Sequence, residues 1–168
     1  MSSAERVIAA ELPSPSAGAP CPVVLADDLT LVVAYICAYL GEQESLQEPV
    51  TIDERDRHRC AVITFRRCRI FKFGHPNEEV LRGHRLYGRG LLWSTVGEVL
   101  NSAWIAELNA INSVHSSHSD RIFADCRHFV FPFQDSMLEV VAEGFDVAML
   151  TGAVRELAID AFMQAAVP

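Results

Sequence analysis

The sequence predicts an α+β domain, a mostly antiparallel β-sheet of about four to six strands packed against a central amphipathic helix and a C-terminal helix. Three observations lead there. Segments of strand and helix character follow one another in the order β, β, α, β, β, α. The second pair of strands is split by a short polar turn. The 168 residues are 50% hydrophobic and 21% charged, the balance of a chain with one folded core.

Residues 1–22 carry Pro13, Pro15, Pro20 and Pro22 among small residues. A short helix fits 2–12, but prolines at those spacings prevent regular structure beyond it. Residues 1–22 therefore read as a flexible N-terminal arm and 23–168 as a single domain. Residues 29–38 are apolar on every side. Asp28 and Gly41 would frame a helix there, yet Thr30, Val32, Val33, Tyr35 and Ile36 are strand formers, and a buried strand is the preferred reading. The acid-rich stretch 42–57 reads as an exposed loop.

Residues 60–73 read as one long strand, or two collinear strands bent near Arg66 and Arg67, with Ile63, Phe65, Phe71 and Phe73 on one face. Residues 95–114 read as the central helix. Thr95 and Glu98 have capping-box spacing, and Val96, Val99, Leu100, Ala103, Trp104, Leu108 and Ile111 recur every three or four residues. Residues 128–133 and 137–142 read as a β-hairpin. Pro132 has no N–H for a ladder, which puts its strand at an edge or a bulge. Residues 154–165 close the pattern as an amphipathic helix with Leu157, Ala158, Ala161 and Phe162 inward.

The net charge of −8 argues against nucleic acid or an anionic membrane as partner, because both recruit a positive field. The charge is uneven. Residues 66–89 hold seven of the fourteen Lys and Arg residues against Glu78 and Glu79, so a segment of +5 sits in a remainder of −13. Five cysteines with no C-x-x-C pair point to free thiols in a reducing cytoplasm, and away from a disulfide framework or a zinc ribbon. No leader with a basic flank is evident, and the apolar run 29–40 is too short to span a bilayer as a helix. Lys72 is the only lysine, and that arginine bias suggests a bacterial chain from a high-GC genome.

The stretch 75–91, HPNEEVLRGHRLYGRGL, is the part least explained by packing. Pro76 suits the first position of a short helix, Glu78 and Glu79 its first turn, and Gly83 its end. Gly88 and Gly90 allow positive φ on either side of Arg89, so backbone N–H groups can converge on an anion. His75, Arg82, Arg85, Arg89 and Trp104 are the candidate ligand-binding residues, with the arginine forks matched to carboxylate or phosphate. His84, Tyr87 and Glu139 are the candidate catalytic residues, Glu139 as a base whose pKa apolar neighbours would raise. Walker and G-x-G-x-x-G loops are absent, and no cofactor is assigned. No metal is assigned either, although His58 and Cys60 mirror Cys126 and His128 at two strand starts, and His115 and His118 flank a serine-rich loop.

The expected function is a cytoplasmic small-molecule-binding protein, or a small metabolic enzyme, acting on an anionic ligand at this loop. The alternative is a non-catalytic interaction protein of immunity or regulatory type whose acidic surface engages a basic protein. An edge strand and high apolar content also allow a homodimer. No sequence family is recognised.

Overall fold

The computed structural model describes residues 4–28, 30–38, 56–93 and 95–165. It has the expected α+β composition, arranged as two antiparallel sheets in place of one. The first carries β1 (Arg6–Ala9), β5 (Ile70–Gly74), β6 (Gly97–Leu100), β7 (Arg127–Pro132) and β8 (Met137–Ala142), in the spatial order β1-β6-β7-β8-β5. The second carries β2 (Val23–Ala26), β3 (Leu31–Ile36), β4 (His58–Arg66) and β9 (Gly144–Gly152), in the order β2-β3-β4-β9. The helices are α1 (Ala103–Asn112), α2 (Arg121–Ala124) and α3 (Val154–Ala165), with a 3-10 turn at Glu78–Gly83. Among the described residues no helix is long and apolar enough to cross a membrane.

The sheets face each other across one apolar layer. Val33, Tyr35, Ile63 and Phe65 meet Phe129, Phe131, Leu138 and Val140 there. Tyr35 and Phe65 each pack on Phe131 edge to face, the arrangement that aromatic quadrupoles favour. The opposite face of the second sheet, with Val32, Ala34, Ile36, Cys60 and Val62, is covered by Val154 and Ala158 of α3. Strand β3 is thus buried on both faces, which is why its sequence shows no period and why the choice between strand and helix fell to its β-branched residues.

Residues 60–73 are two strands, as one reading had it, but they are not collinear. Strand β4 belongs to the second sheet and β5 to the first, and the chain crosses between them at Arg67, where φ is +47°. Phe71 and Phe73 consequently lie on an edge strand and stay exposed instead of sharing the core with Ile63 and Phe65. Beside that crossing runs a second one, from β8 to β9 through Glu143, whose carboxylate accepts from Arg69 at 2.9 Å.

The single helix expected at 95–114 is corrected to a strand followed by a helix. Gly97 and Glu98 pair with Val130 and Phe129, and Glu98 binds Arg127 in place of capping a helix. The helix begins only at Ser102, whose hydroxyl accepts from the Ile105 N–H at 3.2 Å, after Asn101 turns the chain at φ +54°. Its one fully buried residue is Trp104, so α1 is peripheral, and the apolar spacing that looked helical belongs partly to β6. The hairpin of β7 and β8 forms as expected, but β7 is interior. Pro132 is tolerated because β6 pairs only as far as Val130. The acidic stretch 42–57 lies almost wholly outside the described residues.

At the N-terminus, where a short helix in a loose arm was expected, residues 6–9 form β1 against β6. Its other side meets the 75–91 loop, whose Arg89 carbonyl accepts from the Val7 N–H at 2.8 Å. Gly90 has φ +103°, and a Cβ there would stand 2.3 Å from the Val7 carbonyl oxygen. Gly88, at φ +77°, has open space around it. Gly90→Ala therefore combines backbone strain with a collision and lowers stability by about 2–3 kcal/mol, whereas Gly88→Ala adds strain alone, about 1 kcal/mol. Thermal denaturation of both variants checks the ranking, and loss of amide protection at Val7–Ala9 in Gly90→Ala alone identifies the collision as its cause.

Candidate functional site

The 75–91 loop is ordered because every fifth residue of part of it is a buried leucine. Leu81, Leu86 and Leu91 pack with Val7, Val99, Val130 and Met137 on the outer face of the first sheet. With those leucines pointing down, the intervening His84, Arg85 and Arg89 are directed along the surface toward the start of α1. Gly88 and Gly90 take the positive φ expected of them.

Three donors then converge on one carboxylate. Glu5, just ahead of β1, receives Arg85 at 2.8 and 2.9 Å, Arg89 at 3.4 Å, and the Ala103 backbone N–H at the start of α1 at 2.8 Å. The other fork of Arg85 binds Glu139 at 2.8 Å. Glu139 also receives His128 Nε2 at 3.0 Å, and His84 Nε2 stands 3.7 Å from its second oxygen. His128 is fully buried, its Nδ1 2.8 Å from the Ser102 hydroxyl. Trp104 packs edge-on against the His128 ring, and the Lys72 ammonium sits 3.8 Å above the indole.

Burial pushes the Glu139 carboxyl up, but hydrogen bonding with His128 and His84 and attraction to His128 and Arg85 outweigh it and hold the group well below the usual carboxylate range. A general base requires the opposite shift, so the environment of Glu139 makes it a fixed anion. Ser102, His128 and Glu139 do form a hydroxyl, imidazole and carboxylate chain. The hydroxyl, however, serves as the cap of α1, and the neighbouring Ala103 N–H, the natural donor to an oxyanion, is bound to Glu5.

The structure brings together His84, Arg85, Arg89, Trp104 and Glu139 of the residues singled out from sequence. His75, beside a cis bond to Pro76, is exposed, as are Arg82 and Tyr87, and none of these three joins the cluster. Sequence reasoning missed Glu5 and Ser102. No local signal marks Glu5, whereas Ser102 sits directly before the true helical run and has the chemistry of a helix cap. His58 and Cys60 lie on β4 and His128 on β7, in different sheets, so the mirrored triplets do not meet. His118 is engaged by Asn112 and Asp120 at 3.0 and 3.1 Å, and His115 accepts from the Ser117 N–H. Among the described residues no group of three or more His, Cys, Asp or Glu side chains is placed to hold a metal ion.

The open surface lies elsewhere. Among the described residues β9 is paired on one side only, with β4, through nine consecutive residues from Gly144 to Gly152. Ala148 and Leu150 stand opposite Val62 and Cys60, on the α3 face, while Val147 and Met149 stand opposite Ile63 and Ala61, on the face toward the other sheet. Both faces are apolar and both are exposed, Val147 at 44%, Met149 at 39% and Leu150 at 41%. A groove of about 520 Å³ runs between β9 and α3, lined by Val62, Ala148, Leu150, Leu157, Asp160 and Ala161 among others.

Compared with family models, with curated proteins and with solved structures, the chain matches none of them.

Because Glu139 is held as an anion, it contributes stability above its ordinary value of 4.5, and that contribution is lost as pH falls below it. Glu139→Gln should lower stability at neutral pH by about 2–3 kcal/mol and flatten the acid limb of the stability curve. Denaturant titrations from pH 7 to pH 3 on both proteins measure the two slopes. Parallel acid limbs would remove Glu139 from the account.

Proposed function

We propose that this protein is a non-catalytic interaction protein that accepts a partner strand on the edge of β9. The observation that carries the reading is that edge: nine residues in unbroken register, with apolar side chains exposed on both faces. Free main-chain groups on such an edge supply hydrogen bonds to an added strand, and the alternating side chains supply specificity. Five free cysteines, two of them buried, fit a reducing cytoplasm.

The enzyme reading is less well supported, because Arg85 and Arg89, two of the three arginines expected to take an anionic ligand, already take Glu5, and Arg85 also takes Glu139. A photo-crosslinking amino acid at Met149, expressed in the native host, tests the proposal. It should give one dominant cross-linked species, either to a second copy or to another protein, while the same group at Val80, exposed on the 75–91 loop, gives none. Equal and diffuse labelling at the two positions counts against β9 as a docking edge.

One observation favours a second reading. Arg85, Arg89 and the Ala103 N–H, from two separate segments, converge on a single carboxylate, which is the geometry of an anion site with Glu5 as its occupant. An anionic small molecule would then bind by displacing Glu5. Calorimetry with inorganic phosphate should show binding to Glu5→Ala that is weakened by adding Arg89→Ala. No heat from a natively folded Glu5→Ala protein rejects this reading.

A further inference from the structure

We propose that the strand received by β9 is β9 of a second copy of this chain, paired antiparallel about a two-fold axis that passes beside Ala148. The inference rests on the edge-docking reading above and names its partner.

Among the described residues the four sheet edges are not alike. Strands β1 and β2 are four residues long, and β5 has five residues with Lys72 at its centre. Short length and an edge lysine are the usual protections against unwanted pairing. Strand β9 has nine residues with no lysine, no proline and no bulge in its register with β4. Its one charged side chain, Asp146, is bridged to Arg66, which leaves it the least protected of these edges.

Its sequence, GFDVAMLTG, is complementary to itself. Centring the pair on Ala148 brings all nine residues into register. Gly144 then faces Gly152, Phe145 faces Thr151, Asp146 faces Leu150, and Val147 faces Met149. The smallest side chain with a Cβ lies on the axis, where the two copies approach most closely. No charge faces a like charge, since the two Asp146 side chains stand four residues apart, roughly 14 Å, beyond a Debye length of about 8 Å. Asp146 is also the only charged residue of β9, and it is already bridged to Arg66 of its own chain. No unpaired charge on the strand selects a basic partner, whereas the apolar pairs select an apolar one.

An axis normal to the sheet keeps each face on its own side. The two second sheets merge into one of eight strands, with both α3 helices on one face and both five-stranded sheets on the other. Leu150 and Ala148 of both copies line the floor between the two α3 helices, with each Asp146 at its border beside Leu150 of the other copy, and Val147 and Met149 are covered on the opposite face. The interface is isologous, as closed dimers require.

Light scattering with size-exclusion chromatography on the full chain should give twice the 18.6 kDa chain mass. Met149→Lys, which sets an ammonium against Val147 of the other copy, should weaken the dimer by roughly tenfold or more. Ala148→Cys tests the register. Directly opposed strand residues have Cα atoms about 4.5–5.5 Å apart, within disulfide range. Mild oxidation should therefore link Ala148→Cys chains covalently and leave Leu150→Cys chains unlinked. A monomer at every concentration overturns the self-pairing. If the outward-facing amides of Val147 and Met149 exchange rapidly, the edge is free and the docking reading stands with another partner. If those amides are protected in the monomer, the chain covers its own edge and both proposals fall. A dimer in which Ala148→Cys does not link, or one that Met149→Lys leaves intact, also overturns the pairing.

Discussion

Arg85 lies between two carboxylates, Glu5 and Glu139, and that bridge organises one whole face of the molecule. Burying a carboxylate costs several kcal/mol unless its lone pairs are filled, so each must collect donors from wherever the fold can bring them. Glu139 draws them from β7 and the 75–91 loop, Glu5 from the loop and the start of α1. Through these bonds the residues ahead of β1, the long loop, the first turn of α1 and the central hairpin are held in one arrangement. The buried leucines beneath the loop supply the apolar contact, and the charges fix its position along the surface.

That arrangement also explains why a cluster with the residue types of an active site reads as architecture. Histidines and arginines in one loop, with a glutamate on a neighbouring strand, suggest a ligand when only their chemistry is known. Distances show Arg85 and Arg89 facing carboxylates of the same chain, with the glutamate kept ionised and the serine committed to a helix cap. A catalytic group has to keep some capacity unspent. Here the capacity is used internally, which shifts attention to the edge of the second sheet, where β9 exposes apolar side chains on both faces and has no partner strand on its outer side among the described residues, although its Thr151 carbonyl accepts from Arg57.

The class of fold was legible in the sequence, as were β3, the β7–β8 hairpin, the positive φ of Gly88 and Gly90, and α3 to within its bounds. Each of these is governed by local physics, namely β-branching, turn chemistry or amphipathic period. What escaped was decided by distant partners. Val99 and Leu100 have helical spacing with Ala103 and Trp104, and only the presence of β1 and β7 on either side makes their segment a strand. Strand β9 lacks alternation because it is exposed on both faces, so no period marks it. Arg66 and Arg67 do mark a bend, but nothing local says that the chain leaves one sheet for the other there. Glu5 meets residues eighty and more positions away, beyond any window of pattern.

Both sheets are closed by pairings of this long-range kind. Arg6 sits across from Leu100, and His58 across from Gly152. On the ribosome the N-terminal strand must therefore wait for more than half the chain before its neighbour exists, and β4, which can pair with β3 at once, must wait for nearly all of it before its second neighbour exists. Only the β2–β3 and β7–β8 hairpins can form from adjacent sequence, and the first of these shows apolar residues on both faces until the rest arrives. Loop closure over such spans makes folding slow and leaves nascent surface open to off-pathway contacts, so a newborn chain of this topology is a natural client for chaperones.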